Sequence, residues 1–274
     1  MFLRMRKLIP LLIAAVLLGS CSEYQKVLKN TEVKPKYELA EKLYNEGDFR
    51  KSNRLFEQIA PKYIGKPQGE RVLFFFANTY YNTKDYNSAG YQFERFLKSY
   101  PRSQKAQEAA FLSAKSYYHL SPRYSLDQTD TDKALLKLQN FINSYPNSEY
   151  LTPANEIAKE LTAKKERKEF EIGKQFSKLG EFYTLEYNIS AIAALDNFIL
   201  DNPGTKYKED ALYYKTVAAT NLALNSTPQK KEKRLNDAKE AYSKLKSSYP
   251  ESKFGKKADN LIKKVDRELK NFAN

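Results

Sequence analysis

The chain has 274 residues, enough for one large domain or an extended array of repeats. Hydrophobic residues make up 41%, which argues against global disorder, and only 9 Gly and 11 Pro argue against an all-β fold with many tight turns. The 47 Lys and Arg against 33 Asp and Glu give +14, a balance that suits anionic partners or a solvated basic surface.

The first twenty residues set the compartment. Arg4, Arg6 and Lys7 form a positive leader, and LIPLLIAAVLL at 8–18 is an eleven-residue apolar run. Spanning a bilayer takes about 20 residues, so the run fits the core of a signal peptide over 1–20. LGSC follows, with Cys21 the only cysteine in the chain. A small-residue site running into a lone cysteine resembles the bacterial lipobox, which implies cleavage before Cys21 and acyl and diacylglyceryl lipid on it. An ordinary signal peptide with an incidental cysteine is the other reading. Residues 21–33 then read as a short lipidated tether and 34–274 as the folded domain. Losing residues 1–20 leaves +11. An exported chain does not meet chromosomal DNA, so the charge points away from nucleic acid, toward a membrane surface or a protein partner.

Four near-copies punctuate the folded part: SYPRSQK at 99–105, SYPNSEY at 144–150, DNPGTKY at 201–207 and SYPESKF at 248–254. Twelve residues before each proline stands Ala89, Ala134, Ala191 or Ala238. Eight before stand Phe93, Leu138, Leu195 and Tyr242, and five before stand Phe96, Phe141, Phe198 and Leu245. Steps of four and three define one face of an α-helix, and proline closes it. A partner helix precedes each, as in 72–86 and 108–120. The landmarks Leu73, Ala77, Tyr80, Tyr86, Ala89, Phe93, Phe96 and Pro101 resemble the tetratricopeptide pattern. An earlier copy runs from Tyr37 through Ala40, Gly47, Asp48, Phe49, Ser52, Phe56 and Ile59. The fold class is all-α, a superhelix of about five degenerate helix-turn-helix repeats.

The prolines are separated by 45, 57 and 47 residues, more than the usual unit of about 34. The excess falls at 121–132, at 152–180, which reads as one long helix, and at the basic segment 225–237.

Little in the sequence carries catalysis, and no enzyme or cofactor beyond the lipid is expected. The one histidine, His119, ends a helix. DQTDTD at 127–132 lacks the glycine and closing glutamate of an EF-hand and suits a helix cap. Glu251 and Ser252 belong to a solvated turn. The basic runs at 164–168 and 230–234 suit solvent, an acidic partner or lipid headgroups. On the first helices, one turn from the packing seam, stand Tyr37 and Tyr44, Phe74 and Tyr81, and Phe111 and Tyr118. Glu41, Asn45, Asn78, Asn82 and Lys115 share their face. Aromatics with polar edges suit an extended peptide, and rings at helical spacing equally suit packing between repeats.

The signal and lipobox, the repeats, and segments such as YPRSQKAQEAAFLSAKSYY and DQTDTDKALLKLQNFINSYPNSEYLTPA together resemble the BamD family, over most of residues 35–265. These are lipoproteins of the outer-membrane β-barrel assembly machinery. The resemblance implies a non-catalytic scaffold on the periplasmic face of the outer membrane. It implies C-terminal repeats that dock the POTRA domains of the barrel subunit, and N-terminal repeats that receive the targeting strand of an unfolded β-barrel substrate. Other envelope tetratricopeptide lipoproteins, for glycan capture or cell-division coordination, share the repeat and differ in partner.

Overall fold

The computed structural model describes residues 23–182 and 184–272, and among these the chain is all helix and turn. The signal segment and Cys21 lie outside the described residues. Residues 23–29 are helical, followed by α1 (Val33–Asn45), α2 (Phe49–Tyr63), α3 (Gly69–Asn82), α4 (Tyr86–Ser99), α5 (Ala106–Leu120) and α6 (Thr129–Ser144). Then come α7 (Leu151–Leu179), α8 (Leu185–Asp201), α9 (Lys208–Leu224), α10 (Pro228–Ser248) and α11 (Gly255–Phe272). None of the described helices is long and apolar enough to cross a membrane.

Two compact units result. The first runs to Pro122 and resumes over Asp127–Leu161; the second takes Arg123–Leu126 and the chain from Thr162 onward. Successive helices pack on one another from α1 to α6 and from α8 to α11, as tetratricopeptide pairs do.

The small-large-large face of the second helices forms the core. Ala89, Ala134, Ala191 and Ala238 are fully buried, and so are Phe93, Leu138 and Leu195. Phe96, Phe141, Phe198 and Leu245 are buried one turn further on. Tyr242 alone departs: it is half-buried and its hydroxyl donates to Asp259 of α11 at 2.7 Å. A phenol needs a polar partner, so it sits where the core meets water.

The repeated heptad has a physical job in every copy. The hydroxyls of Ser103, Ser148, Thr205 and Ser252 accept from the backbone N–H two residues on, at 2.9–3.2 Å. Three of them also donate to a glutamate on the first helix of the same pair: Ser103 to Glu70 (2.6 Å), Thr205 to Glu166 (2.9 Å) and Ser252 to Glu209 (2.7 Å). The turn is thereby capped and tied back to its own repeat.

The residue four past each proline covers a ring. Lys105 lies over Phe74 at 5.3 Å, while Tyr150 stacks on Phe111 (5.0 Å), Tyr207 on Phe170 (4.9 Å) and Phe254 on Tyr213 (4.1 Å). Stacked rings and a cation over a ring face both add to simple burial.

Two turns inside repeats are also copies. Tyr44-Asn45-Glu46-Gly47-Asp48 and Tyr81-Asn82-Thr83-Lys84-Asp85 each end a helix in the left-handed region, Gly47 at φ 82° and Lys84 at φ 65°. Asp48 and Asp85 then cap the next helix, accepting from Lys51 N–H and Ser88 N–H.

The three segments of excess length resolve separately. Residues 121–128 are largely loop and α6 starts at Thr129. α7 is a single helix of 29 residues. The basic segment 225–237 is mostly helix: Thr227 stands at the N-cap position, Pro228 opens the first turn, and α10 reaches 21 residues where α4 has 14. The segment read as tether also joins the fold from Glu23 onward. Tyr24 is 7% exposed, and Val27 and Leu28 pack on the same core.

Candidate functional site

The first-helix face of the N-terminal unit carries the eleven residues singled out by spacing. Phe74 and Phe111 are 4% and 5% exposed. Phe74 meets Phe93 and Phe96 edge-on, and Phe111 lies between Phe141 and Tyr150. Of the two readings open to them, these rings take the packing one. They occupy the position that Phe170 and Tyr213 hold in the other unit, each covered by the residue four past a proline.

The remaining nine are half-buried or exposed. Tyr37 packs on Tyr63 at 5.7 Å, one turn before Glu41. Glu41 pairs with Arg71 of α3. Tyr44 stacks on Phe75 of α3 at 4.2 Å, and the Arg71 guanidinium lies over that ring at 5.2 Å. Asn82 donates to the Asn78 side-chain oxygen at 2.6 Å, and Asn45 is exposed. The Tyr81 hydroxyl pairs with His119 Nε2 of α5 at 3.3 Å, and His119 stacks on Tyr86 at 4.3 Å. Lys115 sits over Phe111 one turn away. The Tyr118 hydroxyl donates to Glu160 of α7 at 2.9 Å.

These residues therefore bridge α1 to α3, α3 to α5 and α5 to α7, side by side along one face. Residues that spacing did not single out complete the bridges: Arg71, Phe75, Tyr86, His119 and Glu160. Phe75 was hidden in the run Phe74-Phe75-Phe76, where consecutive rings point about 100° apart and the seam register decides which one faces outward.

Burial is the first cause that raises the phenols of Tyr37, Tyr44 and Tyr81, the last to about 12 with Tyr86 adding to it. For Tyr118 the hydrogen bond to Glu160 comes first and burial second. All four stay protonated at neutral pH, the Tyr118 hydroxyl held by Glu160 and that of Tyr81 by His119. Burial and then Lys115 push His119 below its ordinary value, so its ring is neutral there. The face can hydrogen-bond and stack. Among the described residues no group of three or more His, Cys, Asp or Glu is placed to hold a metal.

Paired helices with buried alanines and a polar, ring-edged first-helix face define a helical-repeat protein of the tetratricopeptide type. The model of the YfiO family, outer membrane lipoproteins, matches residues 29–184 and 181–271, and the chain belongs to that family. No curated protein matches the chain. A solved structure from work on computational design of self-assembling cyclic protein homooligomers aligns over 97% of this chain and 96% of that one. Its identity is 14% and its TM-score 0.23, too low to argue from.

Proposed function

We propose that this outer membrane lipoprotein family member is a BamD-type scaffold: a non-catalytic protein, acylated on Cys21 and held on the periplasmic face of the outer membrane, that takes part in β-barrel assembly. The observation that carries this reading is the family match over both units, joined to the lipobox at the start of the chain. On this reading the first-helix face of the N-terminal unit receives the targeting strand of an unfolded barrel protein. Tyr44, Tyr81 and Tyr118 supply ring edges, with the polar side chains of Asn45, Asn78, Asn82 and Lys115 between them. Tyr37 and Glu41 flank that row, and Phe74 and Phe111 support it from beneath. The C-terminal unit docks the POTRA domains of the barrel subunit.

The test is a pull-down of the tagged full-length protein from mildly solubilised native membranes, read by mass spectrometry. A POTRA-containing barrel protein in near-equal amount supports the scaffold. Sugar importers or division proteins in its place overturn it and leave the repeat fold standing. For the strand-binding face, Tyr81→Ala with Tyr118→Ala is expected to weaken capture of a barrel-derived C-terminal peptide about tenfold with helicity unchanged. Unchanged capture removes the face from the reading.

A further inference from the structure

The C-terminal unit contains an open cleft of about 820 Å³ to which the scaffold reading assigns no partner segment. Three helices build it, each with one stripe at three-and-four spacing. Ile189, Ile192 and Asp196 come from α8, Ala219 and Leu222 from α9, and Lys230, Lys233 and Asp237 from α10. The floor is apolar, and Ile189 is 47% exposed. α8 and α10 both pack on α9, so the cleft is a trench running between them.

The wall from α10 exists because that helix is extended at its N-terminal end. Lys231 pairs with Glu268 of α11 at 2.7 Å and fixes the extra turns in place. Lys230 and Lys233, one and two positions to either side, line the trench and have no ion-pair partner among the described residues. Arg234 donates to the Ser226 hydroxyl, which leaves its charge uncompensated. The acids of the trench are mostly taken: Asp196 pairs with Lys215 and Glu240 with Lys244, while Asp237 has no ion pair among the described residues. Three uncompensated cations against one acid make the rim positive above an apolar floor.

We infer that this trench docks an acidic amphipathic helix of a protein partner, its apolar stripe on Ile189, Ile192 and Leu222 and its carboxylates on Lys230 and Lys233. A helix fits because a trench flanked by two helices presents ridges and grooves for a third. The charge pattern selects an acidic one. The inference does not rest on the barrel-assembly reading, since it concerns the chemistry of the trench and not the identity of the complex.

The test places a photo-crosslinking benzoylphenylalanine at Ile189 of the full-length protein in the cells that make it, and maps the crosslinked peptide by mass spectrometry. The expected adduct is one protein, at a segment of net negative charge with apolar residues three and four apart. Lys230→Glu with Lys233→Glu is expected to lower its yield at least about fivefold. Lys263→Glu with Lys264→Glu, on the exposed side of α11, leaves it unchanged. Both pairs are solvent-exposed, and a matched thermal midpoint checks that the fold survives. An adduct with lipid, with a second copy of this chain or with a segment that is not acidic overturns the inference. So does an adduct indifferent to Lys230 and Lys233, or no adduct at all.

Discussion

The two units share one frame and present different surfaces. In both, a heptad with proline closes the repeats after the first, and the residue four past the proline covers a ring. The N-terminal unit then spends its first-helix side chains on bridges between successive first helices: Glu41 to Arg71, Tyr44 to Phe75, Tyr81 to His119, Tyr118 to Glu160. In the C-terminal unit first helices also meet, Ser177 of α7 donating to the Tyr214 carbonyl of α9, but further polar contacts join α10 to α11 through Lys231–Glu268, Lys239–Asp266 and Tyr242–Asp259, and an open trench lies beside α10. The comparison teaches that the repeat motif specifies the buried seam only. Each unit is free to write its own face.

The strongest way to break the shared-frame half of this comparison is to remove its rings. Phe111→Ala in the first unit and Phe170→Ala in the second are each expected to cost about 3–5 kcal/mol, since both rings are buried and covered. Denaturant unfolding checks this. A near-neutral result at either site means the units are not built alike.

The closing turns sharpen the comparison. Ser252 accepts from a backbone N–H and donates to Glu209, whereas Ser148 only accepts. Ser252→Ala is expected to cost about 1–2 kcal/mol and Ser148→Ala about half that. Equal losses would show that the glutamate tie contributes nothing.

Smaller still is the difference between the two copied turns. Gly47→Ala places a side chain at φ 82° and is expected to cost about 1 kcal/mol, while Lys84→Gly relieves φ 65° and raises the thermal midpoint slightly. A midpoint that falls in Lys84→Gly means that the lysine side chain contributes more than its backbone costs.

The smallest effect is a pH dependence on the first-helix face. His119 titrates below its ordinary value in the fold, so the unfolded chain takes up the proton first as pH falls. Stability is full at neutral pH and declines as pH drops from the ordinary histidine range through the lowered folded value. His119→Gln is expected to flatten that decline between pH 7.5 and 5.5, an interval that brackets the histidine pKa of about 6.5. The ring is exposed enough that the change is modest, and an identical profile in the variant would put the titrating group elsewhere.

Much of the fold was legible because period and punctuation are local properties. Alanine at one position with large residues four and seven later requires one helical face, whatever surrounds it. Proline, with a serine or threonine two residues on, requires a capped turn. The buried alanines and the four capped closures follow from those letters. The lipobox resemblance also rests on a contiguous string, which lies outside the described residues. What the sequence could not decide was which ring of Phe74, Phe75 and Phe76 faces out, because that depends on the seam against α1 and α4. It also could not show that Phe111 is covered, since Tyr150 stands thirty-nine positions away and only the closing turn delivers it. The trench belongs to the same class. Its floor and rim come from three helices, each carrying an ordinary amphipathic stripe, and only their packing turns those stripes toward one another. Helical periodicity is set along the chain, whereas a surface is set between chain segments, and that is the line between what this sequence determined and what its tertiary structure decided.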